Sequence, residues 1–350
     1  MAPEAPRGAE AGVASGLTLS FQSVQIWPPP WPFPLRPSLA AWAEPLVQPE
    51  IMEAAGLAAA TLVLLAAAWW VRRLRWPLLA AAGLSAWFGA PGLGLLLVPA
   101  YPTSFHTSPT GFTAGSVARG QAVYVRHCQS CHGPEGRGDG PEASRQAVPP
   151  ADLAAEHLWD HPDGDLFWWV SRGMVAVDGR PAMPGFADKL SDTERWEVID
   201  FLHANAAGAE LARTGLWPHG FMAPDMAATC GDGRRTSLSQ LRGAPVHIVV
   251  EGADGVAQGG TSPTLVIGGG RPSASVCVVD DPAARQALAV TLGLSADDIT
   301  GSQFLVSPEG WLLGHWYQGG APAADSLVFV AETLRNVCLS SPARSHASHR

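Results

Sequence analysis

The sequence has little positive charge and few cysteines. Lysine occurs once in 350 residues, as Lys189, and the formal net charge is −9. Proteins that bind nucleic acid need clustered Lys and Arg to neutralise phosphates, so this balance excludes nucleic acid as a partner. Five cysteines are too few for a disulfide-rich scaffold. Three of them, Cys230, Cys277 and Cys338, lie outside the one short cysteine motif, and the sequence leaves their disulfide state open.

Charge is also absent from two long apolar stretches, residues 54–71 and 78–100. Each is close to the roughly 20 apolar residues that cross a bilayer core. A helix on the surface of a soluble protein needs one polar face, and neither stretch has one. The sequence therefore predicts two transmembrane helices in a lipid bilayer.

The connection between these stretches, residues 72–77, indicates their orientation. It contains Arg72, Arg73 and Arg75, and positive charge favours the cytoplasmic side of a membrane. Both flanking regions then face outward, which places the bulk of the chain in the periplasm of a bacterial inner membrane. Residues 1–50 contain the run "IWPPPWPFPLRP", too rich in proline for a regular helix or strand, and we expect an external segment there.

One motif carries chemistry, Cys128-Gln129-Ser130-Cys131-His132. A structural zinc site needs a second Cys or His cluster, and none follows at suitable spacing. A dithiol redox pair usually begins a helix that follows a core strand, whereas the residues before Cys128 look helical. Two cysteines for thioether bonds and an adjacent His132 are the pattern of covalent haem attachment. The motif therefore favours one covalently attached haem c.

A haem iron needs a second axial ligand or an open face. Met183 lies in a short segment before Pro184, and we expect it to be the distal ligand because a predicted terminal helix follows. Met174 is the rival methionine. The imidazole alternatives are His157, His161 and His203.

Two predicted helices flank this region. Residues 191–194, Ser-Asp-Thr-Glu, form a capping-box pattern ahead of apolar residues at helical spacing. Upstream, Ser116 is a candidate cap for a helix in which Gly120 and Tyr124 share a face. A glycine on such a face allows another helix to approach closely.

Taken together, residues 116–205 resemble a class I cytochrome c domain. The resemblance implies an all-α domain over residues 112–207 with crossing terminal helices and an electron-transfer function. It also implies thioether bonds at Cys128 and Cys131, His132 as proximal ligand and Met183 as distal ligand. A proline carbonyl usually accepts a hydrogen bond from the proximal histidine in this family, and residues 149–150, both proline, would supply it.

A narrower resemblance extends over residues 78–205, to the cytochrome portion attached to some bacterial copper-resistance D-type membrane proteins. Those proteins often carry a larger membrane domain upstream, whereas this chain has two predicted spans. Met222 and Met226 alone would make a poor copper site, which argues against a copper role.

Residues 217–340 alternate short β-rich runs with helical stretches, which predicts an α/β domain. This region resembles thioredoxin-like and peroxiredoxin-like domains. Such enzymes carry a cysteine directly after the strand that corresponds to residues 246–250, and the loop here, "EGADGVAQGGTSP", has none. We expect a thioredoxin-like domain that has lost its CxxC motif, followed by a disordered tail over residues 341–350.

The sequence therefore predicts a multidomain membrane protein with two transmembrane helices, an all-α cytochrome c domain and a C-terminal α/β thioredoxin-like domain. Its predicted function is that of a membrane-anchored monohaem c-type cytochrome, an electron carrier rather than a catalyst. The alternative is a haem-linked accessory of a copper-handling or thiol-redox system, with its chemistry in the C-terminal domain. Membrane redox partners are expected, but the sequence names neither donor nor acceptor.

Overall fold

The structure, a computed structural model, describes residues 35–37, 48–94, 97–176, 179–218, 220–251, 262–273 and 275–317. The chain divides into two compact units, residues 1–103 and 104–350. Several predictions lie outside the described residues: most of the N-terminal segment, the part of the predicted thioredoxin-like domain after residue 317, Cys338 and the tail over residues 341–350.

The N-terminal unit is built on two helices. They are α1 (Gln48–Trp70) and α2 (Arg75–Gly94), joined by a 3₁₀ turn over Arg72–Leu74. Two short strands, β1 (Leu35–Pro37) and β2 (Leu97–Pro99), pair antiparallel.

The second predicted helix ends earlier than expected. The sequence predicts a helix over residues 78–100, whereas α2 starts at Arg75 and ends at Gly94, and Leu97–Pro99 is extended. Pro91, Gly92 and Gly94 weaken the helix near that end, since proline removes a backbone donor and glycine loses more conformational entropy than other residues. The predicted connection over residues 72–77 is correspondingly shortened to the 3₁₀ turn.

Small residues bring α1 and α2 together. A Cβ atom on Gly92 would lie 2.7 Å from the Cβ of Ala54, and one on Gly89 would lie 3.0 Å from the Cβ of Leu57. Ser85 donates a hydrogen bond to the Leu57 carbonyl at 2.9 Å. Close contact through small residues leaves the large apolar side chains on the outside of the pair.

Several of those outer side chains are more than 60% exposed: Leu62, Val63, Trp69, Trp70, Trp76, Trp87 and Phe88. Within the described ranges, one helical stretch, Pro49–Trp70, is both long and apolar enough to cross a membrane, with a mean hydropathy of 2.0. Spanning by the second helix therefore stays a prediction.

The second unit begins with a helical region. Its elements are α3 (Ala114–His127), α4 (Gln129–His132), α5 (Asp163–Arg172), α6 (Asp192–Thr214) and the short strands β3 (Met174–Val175) and β4 (Pro181–Met183). The strands β3 and β4 form an antiparallel hairpin, an addition to the predicted all-α domain.

The helices α3 and α6 touch at Gly120. A Cβ atom on Gly120 would lie 1.8 Å from the Glu197 carbonyl oxygen and 3.0 Å from the Cβ of Phe201. Only a residue without a side chain fits at that point, so the close helix approach expected from the sequence is confirmed.

The two helix caps differ in outcome. Ser191 and Glu194 form the expected capping box at the start of α6. At the start of α3, however, Thr113 is the N-cap, and its side chain accepts from the backbone N–H of Ser116 at 3.1 Å. Ser116 was the wrong choice of cap, because two hydroxyl residues three positions apart both fit the preference for Ser or Thr at a helix start.

Within the described residues of the second unit, a seven-stranded mixed sheet follows. Its strands are β5 (Ala227–Cys230), β6 (Arg235–Ser237), β7 (Val246–Val250), β8 (Thr264–Ile267), β9 (Val276–Val279), β10 (Ser302–Val306) and β11 (Leu312–Tyr317). The order across the sheet is β11-β10-β7-β8-β9-β5-β6. β7, β8 and β9 are parallel, and β10 and β11 are antiparallel neighbours on the other side of β7. With α7 (Ala284–Thr291) between β9 and β10, this is the predicted thioredoxin-like α/β arrangement.

The helical region and the sheet share one hydrophobic core within the second unit. On α6, a Cβ atom at Gly208 would lie 2.5 Å from the Val290 carbonyl oxygen of α7. The Trp217 indole donates to the Thr291 carbonyl at 2.7 Å, and Gln286 donates to the side chain of Gln121 on α3 at 2.7 Å. The two predicted domains therefore pack tightly against each other, through helices of both.

Candidate functional site

The cysteine motif lies at the end of α3 and forms the short helix α4. The backbone N–H of Cys128 donates to the Tyr124 carbonyl at 2.8 Å, and that of His132 donates to the Cys128 carbonyl at 2.9 Å. Cys128 and Cys131 are half-buried, and His132 is 9% exposed. One helical turn therefore presents both thiols and the imidazole together.

The orientation of the His132 ring is set by a backbone carbonyl. Its Nδ1 lies 3.0 Å from the Ala151 carbonyl oxygen, which can only accept a hydrogen bond. Nδ1 then carries the proton, and the lone pair of the neutral ring is on Nε2, the atom available to a metal. The resemblance to class I cytochromes c implied the carbonyl of residue 149 or 150 instead. That assignment was wrong by one residue, because spacing alone cannot say which carbonyl of a turn faces the ring.

A glycine-rich loop brings residues 150–153 to the histidine. Gly138 has a positive φ of 77°, its N–H donates to the His132 carbonyl at 2.8 Å, and a Cβ atom there would lie 2.4 Å from the Pro150 carbonyl oxygen. The backbone N–H of Leu153 donates to the Gly136 carbonyl at 2.6 Å. The "GPEGRGDG" run thus wraps around the motif and holds the acceptor for the ring.

Tyr124 supports the same loop from α3. Its hydroxyl donates to the Gly133 carbonyl at 2.6 Å, and its ring lies 4.9 Å from the Phe201 ring of α6. Burial raises the pKa of Tyr124, so the phenol stays a donor at neutral pH. The helix crossing and the motif are connected through this one side chain.

The thiol environment does not favour redox exchange. Burial, with a further contribution from Cys131, raises the pKa of the Cys128 thiol to about 12. A thiol that reacts in exchange needs a lowered pKa, because the thiolate is the nucleophile. The dithiol interpretation of this motif therefore has no support in its surroundings.

The two candidate methionine ligands face each other across the β3–β4 hairpin. Met174 and Met183 are direct cross-strand partners, and residues opposite each other in an antiparallel pair point to the same face. Met183 is partly buried, whereas Met174 is 42% exposed.

The Met183 segment is fixed to the end of α5. A Cβ atom on Gly173 would lie 2.4 Å from the Met183 carbonyl oxygen, and one on Gly185 would lie 2.8 Å from the Ser171 carbonyl oxygen. The N–H of Phe186 donates to the Val170 carbonyl at 2.9 Å. A glycine in each of the two segments allows this close packing. The backbone of Met183 is therefore fixed against the end of α5.

The imidazole alternatives have other contacts. The rings of His157 and His161 lie 6.0 Å apart, and His161 packs against Trp169 at 4.7 Å. His203, on α6, packs against Trp159 at 5.1 Å, and its Nε2 lies 3.7 Å from a carboxylate oxygen of Asp163. Each of the three imidazole rings therefore packs against another aromatic ring.

The residues present fit a covalently held haem. Two thiols within one helical turn can form the thioether bonds, His132 offers Nε2, and Met183 offers a thioether sulfur on a well-anchored hairpin. The sequence did not identify Ala151 as the residue whose carbonyl contacts His132. The only indication of it in the sequence is its position directly after two prolines.

The other cysteines form a disulfide. Cys230 on β5 and Cys277 on β9 are direct cross-strand partners and are bonded to each other, at 2% and 4% exposure. The sequence left this pairing open. Cys338 lies outside the described residues, so a disulfide with it is untested.

A copper role gains no support in the described part of the chain. No group of three or more His, Cys, Asp or Glu side chains is arranged to hold a metal ion there. Met226 is 1% exposed and packs in the hydrophobic core.

Residues 115–202 match the family model described as "Cytochrome C oxidase, cbb3-type, subunit III". The match covers 88 of the 350 residues and includes α3, the motif, the Met183 hairpin and the first half of α6. This part of the chain is therefore a cytochrome c-type domain, which implies haem c binding and electron transfer. No curated protein matches the chain.

Several solved structures are similar to parts of the chain. The Kuenenia stuttgartiensis reducing HAO-like protein complex Kustc0457/Kustc0458 is 24% identical over 36% of this chain, which spans 59% of that chain, at a TM-score of 0.25. BsSco, a member of the Sco family of cytochrome c oxidase assembly proteins, is 12% identical over 33% of this chain and 96% of its own, at 0.24. The exposed lipoprotein thioredoxin Etrx1 of Streptococcus pneumoniae is 17% identical over 31% and 98%, at 0.22. These low TM-scores carry no functional argument.

Proposed function

We propose that the chain is a membrane-anchored monohaem c-type cytochrome that carries electrons on the periplasmic side of a bacterial inner membrane. In this proposal, Cys128 and Cys131 hold the haem through thioether bonds, and His132 and Met183 are its axial ligands. When bound, the haem supplies one-electron transfer between its ferric and ferrous states. The observation that carries the proposal is the His132 Nδ1 contact with the Ala151 carbonyl oxygen at 3.0 Å, beside two cysteines of a cytochrome c-type domain.

The protein residues supply position and enclosure. The Ala151 carbonyl fixes the ring of His132 and makes the ligand nitrogen more basic, because a hydrogen-bonded Nδ1–H donates electron density to the ring. Gly173 and Gly185 keep the Met183 segment against α5. If His132 and Met183 both bind the iron, outer-sphere electron transfer would be favoured over binding of oxygen or peroxide.

The membrane part of the proposal is supported by the N-terminal unit. Its helices contact each other through small residues and expose large ones, the reverse of a soluble helix pair. Trp69, Trp70 and Trp76 lie beside the arginine-rich turn, where aromatic side chains favour the membrane interface. The turn itself, Arg72–Leu74, would face the cytoplasm and place residues 104–350 outside. The donor and acceptor are proposed to be membrane redox partners.

The test compares two methionine variants at opposite positions of the hairpin. The purified protein in detergent should show a low-spin haem spectrum with a weak sulfur-to-iron absorption band in the ferric state. Met183→Ala should abolish that band and open the iron to carbon monoxide, whereas Met174→Ala should leave the spectrum unchanged. High-spin haem with rapid carbon monoxide binding in the unaltered protein would contradict the carrier function. Loss of the band in Met174→Ala instead would reassign the ligand.

The alternative function, a haem-linked accessory of a copper or thiol system, has less support. The disulfide that the structure contains is buried in the sheet, where a partner thiol cannot reach it. Alkylation distinguishes the two functions. The reduced, denatured protein shows every cysteine that can be alkylated, and the native protein shows which of them are reactive in the folded state. If alkylation of a cysteine in the folded protein lowers the electron-transfer rate, the accessory function would be favoured.

A further inference from the structure

A cleft of about 340 Å³ lies within the second unit, where the helical region meets the start of the sheet region. Its walls include the aromatic side chains of Phe112, Trp159 and Phe221 and the polar side chains of Asp163, Asp200 and His203. None of these residues belongs to the haem site. The volume lies within the range of small-molecule sites, and an apolar wall with a few convergent polar groups is their usual composition.

The aromatic wall is continuous. Phe221 makes edge contacts with both Phe112 and Trp159, each with ring centroids 5.7 Å apart, and Trp159 also packs against His203. Aromatic faces carry negative partial charge and attract organic cations.

Two carboxyl groups line the cleft. Asp200 is 2% exposed and its carboxylate accepts from the hydroxyl of Thr110 at 2.5 Å and that of Ser108 at 3.3 Å. Asp163 is a second carboxylate at the start of α5. The lining residues that the structure describes include no Lys or Arg. The hydroxyl groups satisfy hydrogen bonds of Asp200 but do not neutralise its charge, and burial raises its pKa accordingly.

His203 leaves one polar atom without a partner. Its Nε2 is buried and makes no hydrogen bond among the described residues, because the nearest carboxylate oxygen, of Asp163, is 3.7 Å away. A buried ring nitrogen without a partner is costly unless a ligand or water completes it. A ligand hydroxyl or N–H group in the cleft would do so.

We propose that this cleft binds a small organic ammonium ion that also carries a hydroxyl or N–H group. The aromatic rings contact the cationic end, Asp163 and Asp200 neutralise its charge, and His203 Nε2 hydrogen-bonds its polar group. The proposal is independent of the haem ligands and of the electron-transfer function.

Choline is the probe that tests this proposal. Its binding to the full-length, haem-loaded protein in non-ionic detergent is measured by isothermal titration calorimetry. The neutral isostere 3,3-dimethylbutan-1-ol has the same shape and hydroxyl group without the charge. We expect choline to bind and the isostere to bind at least about ten-fold more weakly, since cation–π and carboxylate contacts act on the charge alone. Equal affinity for the two probes, or no binding of choline, would overturn the proposal.

Three carboxylate variants give the matched comparison. Asp200→Asn and Asp163→Asn should each weaken choline binding about ten-fold, and Asp188→Asn, an exposed carboxylate outside the cleft, should leave it unchanged. Asp163 is partly exposed, so its variant remains informative if the buried Asp200→Asn does not fold. Identical affinities for Asp163→Asn and Asp188→Asn would also overturn the proposal.

Discussion

The chain contains two cysteine pairs in opposite environments. Cys128 and Cys131 are half-buried, unbonded to each other, and separated by one helical turn beside a histidine. Cys230 and Cys277 are joined across neighbouring strands and almost completely buried. The same residue type therefore lies in the proposed haem site in one region and joins two strands of a sheet in the other. The surroundings make the difference: a histidine lies next to one pair in the sequence, and the two members of the other pair lie opposite each other on neighbouring strands.

The largest effect is expected from the first pair. The double variant Cys128→Ser/Cys131→Ser removes both sulfur atoms that can form thioether bonds, so covalently bound haem should be lost almost completely. Haem staining after denaturing electrophoresis measures the covalent fraction.

The double variant Cys230→Ala/Cys277→Ala is the control, and it should keep its haem. Haem content that falls equally in both double variants would mean that the two pairs do not differ in function.

The next effect concerns the helix crossing that supports the cofactor region. Gly120→Ala places a methyl group 1.8 Å from the Glu197 carbonyl oxygen, so backbone must move. We expect the free energy of unfolding to fall by about 3 kcal/mol or more.

Gly115→Ala on the same helix is the matched control. Its nearest neighbour is the guanidinium of Arg119, at the flexible end of a side chain, so the change should stay within about 1 kcal/mol. Urea denaturation followed by the haem absorbance measures both. A small effect at Gly120 would mean that the helices separate easily.

The second cysteine pair should have a smaller effect on stability than this crossing and none on haem content. The disulfide closes a loop with a sequence separation of 47, so losing it should cost about 2–4 kcal/mol of unfolding free energy. In urea denaturation, reductant should destabilise the unaltered protein and leave Cys230→Ala/Cys277→Ala unaffected. A variant that still responds to reductant would indicate another disulfide.

The features that were predictable from the sequence are local ones. The cysteine motif, the Ser191–Glu194 capping box and Gly120 each depend on residue types at short spacing, which periodicity and capping rules describe. The match over residues 115–202 agrees with the resemblance found in the same segment.

What could not be predicted depends on residues distant in sequence. The Ala151 carbonyl faces His132 because the Gly138 turn directs it there, and the spacing fits the two preceding prolines equally well. The pairing of Cys230 with Cys277 follows from β5 lying next to β9, a sheet order that no local pattern specifies. Likewise, the contact of Gly208 with α7 depends on two regions that are distant in sequence and share one hydrophobic core.

The smallest expected effect is on the pH dependence of the unfolding free energy, which we expect to originate in the sheet and not in the cytochrome region. His247 on β7 packs against Trp316 beside Gln303, and burial lowers its pKa. The folded protein therefore holds this ring neutral at a pH at which the unfolded chain binds a proton. Its contribution to stability is complete above the unfolded pKa of about 6.5 and is lost progressively as the pH falls towards the folded pKa, by at most about 1.4 kcal/mol per pH unit. His247→Gln should flatten the pH dependence of the unfolding free energy between about pH 7 and 5, whereas His157→Gln, at an exposed histidine of the cytochrome region, should not. Equal slopes for the two variants would show that acid sensitivity does not originate in the sheet.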